Sequence, residues 1–245
     1  DAKPATVRSV AARIDVEDTH FAGERSVITA TDPSTTPQWN ISRVGAPSAW
    51  AGNFKGQGAI VATIDTGGDA SHPDLAANLL RDANNQPVWK DAVNGAAAPY
   101  DDDGHGTHLL GVAVGRNGYG VAPEAKWMAC KAYQRNGVGL DAALPRVVAC
   151  VEWILNKAHP ALNDPNPPDP AFIPDVVLIN HLLPGTPGVC DPFLHQFVAE
   201  FRGARILPVW SVGDDFNAYP YPVGAVPSPA NDPLTFSVGA SGTQD

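Results

Sequence analysis

The stretch "GAIVATID", Gly58 to Asp65, decides the fold class of this protein. It is a short apolar run rich in β-branched residues, and glycines bound it on both sides. Strands buried in a parallel sheet have such continuous apolar runs, because helices cover both of their faces. The run therefore predicts a buried parallel strand that ends at Asp65.

The segments that follow alternate between helical and strand-like patterns. Apolar residues at helical spacing occur in "HGTHLLGVAVG" (105–115), "LDAALPRVVACVEWILNKA" (140–158, with Pro145 near its start) and "DPFLHQFVAEFRGA" (191–204). Strand-like runs are "AKWMACKAY" (125–133), "DVVLIN" (175–180), "RILPVWSV" (205–212) and "LTFSVGA" (234–240). This order predicts an α/β fold with a doubly wound, mostly parallel sheet and helices on both faces.

Composition and charge exclude several classes of partner. The 245 residues are 44% hydrophobic, which suits one large α/β domain or two small ones. The formal net charge of −10 and the lack of a basic stripe argue against nucleic acid. No apolar run approaches the ~18–20 residues that cross a bilayer, so we expect no membrane partner.

The first 37 residues differ from the rest in composition. They are mixed and polar and end in the Thr/Pro-rich "TATDPSTTPQ" (29–38), which predicts a leader, propeptide tail or linker over 1–37 and a domain over 38–245. Three cysteines, Cys130, Cys150 and Cys190, have no C-x-x-C spacing. Three buried thiols, or one disulfide with one free thiol, both remain open.

Functional groups in such sheets gather at the carboxyl ends of the strands. This rule singles out Asp65 with Thr66, and the segment 211–214. A strand-end aspartate is either an ordinary turn cap or a partner that fixes the tautomer of a histidine. His105, at the predicted start of a helix, is the histidine that Asp65 would serve.

A second histidine, His108, lies one turn beyond His105 and raises the alternative of a metal pair. The H-E-x-x-H motif is absent, and no second cluster has metal-ligand spacing, so we expect no metal site. His108 is expected to pack behind the helix start. The acidic run Asp101–Asp103 is expected to be a solvated loop. Metal-assisted hydrolysis remains the weaker alternative function.

Three segments together carry a family resemblance. "TIDTGGDASHPDL" (63–75), "DGHGTHLLGVAVG" (103–115) and "GVAPEAKWMACKAY" (120–133) resemble, in the same order, motifs of the subtilisin-like serine proteases. The lead-in "NISRVGAPSAWAGNFKGQGAIV" (40–61) resembles that domain too, and 129–155 is similar to the bacillopeptidase-F-like branch. The resemblance covers about residues 39 to 241. It implies a secreted endopeptidase that acts on polypeptides, with Asp65 as the triad acid, His105 as the base, and a possible propeptide.

The third member of the triad is not found in these residues. The family places its serine in a Gly-Thr-Ser helix start, and neither that motif nor G-x-S-x-G occurs here. The serines of the C-terminal part, Ser211, Ser228, Ser237 and Ser241, lack the required context. We therefore predict a C-terminally incomplete peptidase domain, inactive as this isolated chain. The alternative is a pseudoprotease that acts as a binding or scaffolding module.

The substrate cleft also departs from the family pattern. "SVGDD" (211–215) puts Asp214, after Gly213, where the family has the oxyanion-hole asparagine, and a carboxylate repels the developing negative charge. In "LINHLLPG" (178–185), larger side chains replace the family's serine and glycines. Asn180 replaces the serine, His181 follows it, and Leu182 and Leu183 replace the glycines. Two leucines there are expected to obstruct an extended peptide.

The resemblance also raises the question of calcium. Asp74, in "HPDL", matches a residue that binds calcium in many relatives. The loop that would supply further ligands is only "GRNGYG" (115–120). One carboxylate does not make a site for an ion that takes six to eight oxygens. We therefore expect no cofactor and no calcium at Asp74.

Overall fold

A computed structural model describes residues 36–134, 140–158, 170–179, 188–213 and 226–240. Several predicted positions lie outside these residues, so their placement stays a prediction. They are the leader up to residue 35, Ser241, the cleft residues Asn180, His181, Leu182 and Leu183, and the oxyanion-hole position Asp214. The described residues fall into two compact units.

The N-terminal unit contains residues 36–134. Its helices are α1 (Trp39–Arg43), α2 (Ala46–Ala51) and α3 (His105–Val114), with a 3-10 turn at Ala76–Asn78. Its strands are β1 (Ile60–Asp65), β2 (Trp89–Asp91) and β3 (Lys126–Lys131), which lie parallel in the order β2-β3-β1. The register pairs Asp65, the last residue of β1, with Lys131, the last residue of β3.

The core of this unit lies between the strands and α3. Val61 to Asp65 of β1 are buried, as are Trp127 to Lys131 of β3. Leu110 of α3 is fully buried, and α3 packs on both strands. Burial along the whole of β1 explains why its sequence lacks the alternation of a half-exposed strand.

The C-terminal unit contains the described residues from 140 to 240. Its helices are α4 (Leu140–Ala158) and α5 (Pro192–Gly203), with a 3-10 turn at Pro170–Phe172. Its strands β4 (Val176–Ile179), β5 (Leu207–Ser211) and β6 (Phe236–Val238) are parallel in the order β4-β5-β6. Asp191 caps α5, since its Oδ1 accepts hydrogen bonds from the backbone N–H groups of Phe193 (2.8 Å) and Leu194 (3.2 Å).

The α/β fold class and the parallel strands are confirmed. The helix predicted at 140–158 has those bounds in the structure, and Pro145 lies inside it. The sequence reasoning missed the short elements α1, α2 and β2, which are too brief to show a clear hydrophobic period. Within the described parts of the chain, we find no helix whose length and hydropathy would suit a bilayer span.

The cysteine question is also resolved. Cys130 and Cys150 are disulfide-bonded, and Cys190 is a free thiol. The alternative of three buried thiols is therefore wrong.

Candidate active site

The structure brings together the two residues predicted as acid and base. Asp65 ends β1 and His105 begins α3, and Asp65 Oδ1 lies 2.7 Å from His105 Nδ1. The Asp65 side chain is only 1% exposed, whereas that of His105 is 21% exposed. When Nδ1–H donates to this carboxylate, the imidazole is held in the tautomer whose Nε2 is the basic nitrogen.

Backbone contacts fix the position of Asp65. The N–H of Thr66 donates to Asp65 Oδ1 at 2.7 Å. The carbonyl oxygen of Asp65 accepts from the N–H groups of Ala132 (2.8 Å) and Tyr133 (3.3 Å), which follow β3. The carboxylate is therefore held at the carboxyl edge of the strands, the position that the strand-end rule predicts.

Asp101 builds the start of the helix that carries His105. Its Oδ1 accepts from the N–H groups of Asp103 (3.1 Å) and Gly104 (2.9 Å). Its Oδ2 accepts from the N–H (2.8 Å) and Oγ1–H (2.7 Å) of Thr107. Burial alone would raise the pKa of Asp101, but the hydrogen bonds from Gly104 and Thr107 outweigh it and lower that pKa.

The prediction of a solvated acidic loop holds only in part, because Asp102 is exposed whereas Asp101 and Asp103 are half-buried. Asp101 serves as the anchor just described, and Asp103 Oδ1 accepts from the N–H of His105 at 3.3 Å. Asp102 forms an ion pair with Lys131. Asp101 and Asp103 have these partners because the turn into α3 presents several backbone N–H groups that need acceptors.

Two glycines allow the segments that follow Asp65 and His105 to approach each other. A Cβ on Gly106 would lie 2.2 Å from the carbonyl oxygen of Gly67. A Cβ on Gly67, whose φ is +125°, would lie 2.1 Å from the carbonyl oxygen of Tyr100. Thr66 Oγ1 accepts from the N–H of Gly106 at 2.9 Å and joins the two segments directly. The T-G-G and H-G-T motifs thus encode a backbone approach that no larger residue permits.

A buried cation lies beneath these segments. Lys131 is fully buried, and its Nζ donates to the carbonyl oxygen of Thr66 and to Asp102. Nζ also lies 4.8 Å from the centroid of the Tyr100 ring. Lys131 therefore connects the turn after Asp65 with the turn before His105. Sequence reasoning missed it, although a lysine at the end of an apolar strand is a signal of a buried partner.

A sequence profile of the subtilase family matches residues 56–244, which include Asp65 and His105. The chain belongs to the subtilase family. It is 38% identical over 216 residues to bacillopeptidase F of Bacillus subtilis, covering 83% of this chain and 14% of that protein. It is 30% identical over 206 residues to the subtilisin-like protease PopC of Myxococcus xanthus, covering 80% of this chain and 40% of that protein.

A thermostable alkaline protease of Halalkalibacterium halodurans is 35% identical over 135 residues, which cover 53% of this chain and 34% of that protein. This subtilase chain thus spans less than half the length of these three relatives. The similarity to bacillopeptidase F confirms the predicted branch of the family.

The second histidine of the subtilase motif, His108, has a different environment from His105. His108 is exposed, so it does not pack behind the helix start as expected, and its N–H donates to the carbonyl oxygen of Gly104 at 2.9 Å. Partial burial of its ring lowers the pKa of His108, and the nearby charge of His105 lowers that pKa further. Asp65 opposes this with a smaller effect in the other direction.

We expect the imidazole of His108 to titrate below its ordinary pKa of 6.5. A His105→Gln variant should raise the pKa of His108, because the repulsion is removed and Asp65 remains. The pKa of His108 is lower in the folded protein than in the unfolded chain, where it is 6.5. The unfolded chain therefore binds more protons between these two pKa values, and the free energy of unfolding rises as pH increases through that interval. Histidine NMR titration measures the midpoint. A His195→Gln control should leave it unchanged, and a midpoint above 6.5 in the parent chain would contradict the assignment.

The remaining predicted positions of the subtilase domain have structural contacts. Asp74 is buried, and its Oδ1 accepts from Asn117 Nδ2 at 2.6 Å. Ser228 Oγ accepts from the N–H of Asp191 at 3.1 Å, and Ser237 Oγ donates to a backbone carbonyl. Gly213 lies two residues after β5 with a φ of +86°, a conformation that favours glycine.

Proposed function

We propose that this chain supplies the acid and base of a serine endopeptidase of subtilisin type, with polypeptides as substrates. The hydrogen bond of 2.7 Å between Asp65 and His105 carries the proposal. It places a buried carboxylate behind a partly exposed imidazole, which is the arrangement that general-base catalysis requires. Family membership supports the same reaction class.

In the proposed reaction, His105 Nε2 accepts the proton of a serine hydroxyl as the serine oxygen attacks the carbonyl carbon of the scissile bond. Asp65 orients the imidazole and stabilises the imidazolium that forms. His105 then donates the proton to the leaving amine, and an acyl-enzyme remains. Water hydrolyses that ester with His105 again acting as the base.

We place the nucleophilic serine outside these 245 residues. Ser228 and Ser237 support this placement, because each uses its hydroxyl in a local contact with a backbone group. The isolated chain would then hold a base without a nucleophile and would form no acyl intermediate. The domain boundaries proposed for it are 38–245, with residues 1–37 as leader, propeptide tail or linker.

The departures of the proposed substrate cleft from the family pattern would limit peptidase activity even in a longer gene product that contains the serine. Asp214 in the oxyanion position would remove a donor worth about 3–4 kcal/mol in the transition state. A protonated Asp214 donates, so activity would be favoured at acidic pH. Leu182 and Leu183 would obstruct the substrate strand. These residues favour the alternative proposal of a pseudoprotease that binds without cleaving.

We also propose that the protein is secreted. Cys130 and Cys150 are disulfide-bonded, and disulfides form and persist mainly in oxidising compartments outside the cytosol. The secreted location fits the proposed role as an endopeptidase acting on external polypeptides.

Fluorophosphonate labelling tests the catalytic proposal. We expect no serine within residues 1–245 to react, whereas the longest product of the encoding gene should be labelled at one serine. A His105→Ala variant of that product should lose labelling, because the serine is no longer deprotonated. A His195→Ala variant is the matched control and should be labelled as the parent is. Modification of any serine within 1–245 would overturn the placement of the nucleophile, and an unlabelled longer product would establish the pseudoprotease instead.

A further inference from the structure

A second cluster of reactive side chains lies in the C-terminal unit, where α5 begins. Asp232 Oδ2 is 2.7 Å from His195 Nδ1 and 3.1 Å from Cys190 Sγ. The three atoms all lie within 4.8 Å of one another. A sulfur, a nitrogen and an oxygen ligand therefore converge on one small volume.

Two segments of the chain hold this cluster in place. Cys190 directly precedes the cap residue of α5, and His195 lies in the first turn of that helix. Asp232 is in the turn before β6, where its Oδ1 accepts from the N–H of Leu234 at 2.8 Å. The hydrogen bond from the Asp191 N–H to Ser228 Oγ ties the same two segments together. The ligand atoms are thus positioned by the backbone and not by long mobile side chains.

The chemistry of the three atoms matches one class of ion. Zinc takes thiolate, imidazole and carboxylate ligands, with bond lengths of about 2.3 Å to sulfur and about 2.0–2.2 Å to nitrogen and oxygen. In a tetrahedral site these lengths place neighbouring ligand atoms roughly 3.2–3.6 Å apart. The present hydrogen-bond distances would have to open by about 0.5 Å to admit the ion. His195, whose side chain is 46% exposed, has room to make that adjustment.

The ordinary alternative is a set of hydrogen bonds that satisfies one buried carboxylate. Two observations favour a cation. Both neighbours point to the same oxygen, Oδ2 of Asp232, whose side chain is fully buried. Cys190 is also kept as a free thiol, whereas Cys130 and Cys150 are disulfide-bonded. A buried carboxylate beside a thiol and an imidazole is a strong attractor for a divalent ion.

We propose that Cys190, His195 and Asp232 bind one zinc ion, with a water molecule as the fourth ligand. Binding replaces the thiol proton of Cys190 with the metal and releases that proton to solvent. The ion joins the turn before β6 to the start of α5 and stabilises the C-terminal unit. The site is independent of the proposed peptidase chemistry, which uses Asp65 and His105.

Cobalt(II) substitution gives a direct test on the metal-free chain with its disulfide intact. Titration should produce tetrahedral d–d bands and a thiolate-to-cobalt charge-transfer band that saturate at one equivalent. Zinc should displace the cobalt and raise the melting temperature. Cys190→Ser should abolish the charge-transfer band. His195→Gln should weaken cobalt and zinc affinity by at least roughly tenfold, since loss of even an outer-shell partner costs that much.

His108→Gln is the matched control, because it removes a partly exposed histidine from the other unit and should leave both affinities unchanged. Asp232→Asn is a less informative variant. The Asp232 carboxylate also accepts a hydrogen bond from the N–H of Leu234, so the substitution could unfold that turn. The decision therefore rests on Cys190 and His195. Absence of the thiolate band at one equivalent, or zinc binding by the Cys190→Ser and His195→Gln chains as tight as the parent's, would overturn the site.

Discussion

A Gly106→Ala variant is expected to lose about 3 kcal/mol of the free energy of unfolding. The new Cβ would lie 2.2 Å from the carbonyl oxygen of Gly67, so backbone must move and not merely a side chain. The movement would also break the hydrogen bond from the Gly106 N–H to Thr66 Oγ1. Chemical denaturation measures the loss, and for a chain of this size the melting temperature should fall by roughly 6–12 °C.

Gly203→Ala provides the matched control. Gly203 also lies in a helix, but nothing lies within 4 Å of the Cβ that would be added. We expect this change to be neutral or to stabilise by up to about 1 kcal/mol, because alanine restricts the unfolded chain. Equal effects of the two substitutions would show that the close contact between Gly106 and Gly67 does not require glycine at position 106.

An Asp102→Asn variant is expected to lose about 3 kcal/mol of the free energy of unfolding. It would leave the fully buried ammonium of Lys131 with only the Thr66 carbonyl, the Tyr100 ring and a neutral amide. An uncompensated buried charge is costly, whereas Asp102, whose side chain is 37% exposed, can be hydrated when it is alone. Lys131→Met should therefore be much less destabilising than Asp102→Asn, as chemical denaturation would reveal.

Two further variants sharpen that comparison. The double variant Lys131→Met/Asp102→Asn should recover most of the stability lost by Asp102→Asn, because no buried charge remains. Glu124→Gln is the control for a surface ion pair. Glu124 Oε1 lies 3.4 Å from Lys55 Nζ, and the two side chains are 45% and 36% exposed. This substitution should cost no more than about 1 kcal/mol. If Lys131→Met proved the more damaging single change, the buried cation would have to be stabilised by more than Asp102.

The long elements of the fold were predictable because their hydrophobic patterns are strong. The apolar run before Asp65 predicts β1, and helical spacing from Leu140 to Ala158 predicts α4 with correct bounds. The pairing of Asp65 with His105 was also predictable, since one ends a strand and the other begins a helix in a matching motif. Short elements such as β2, with three residues, depend on tertiary pairing and leave little pattern in the sequence.

The supporting contacts of the site could not be predicted in the same way. Asp101 and Asp103 look like parts of a hydrophilic loop until the turn into α3 supplies their backbone donors. Lys131 becomes interpretable only when the parallel register places it beside Asp65. In the cluster of Cys190, His195 and Asp232, the aspartate follows the histidine by 37 positions and the cysteine by 42. This spacing resembles no metal motif. Each of these contacts is set by the fold and not by local sequence.

The parallel register between β1 and β3 has a consequence for recombination. Asp65, the turn that carries His105, and Lys131 depend on one another through contacts that all fall within residues 65–131. A chimera whose crossover falls inside this block would take Asp65, His105 and Lys131 from two different parent proteins. Crossovers before Ile60 or after Tyr133 would transfer the block whole, so homologous exchange between relatives should be tolerated far better at those junctions.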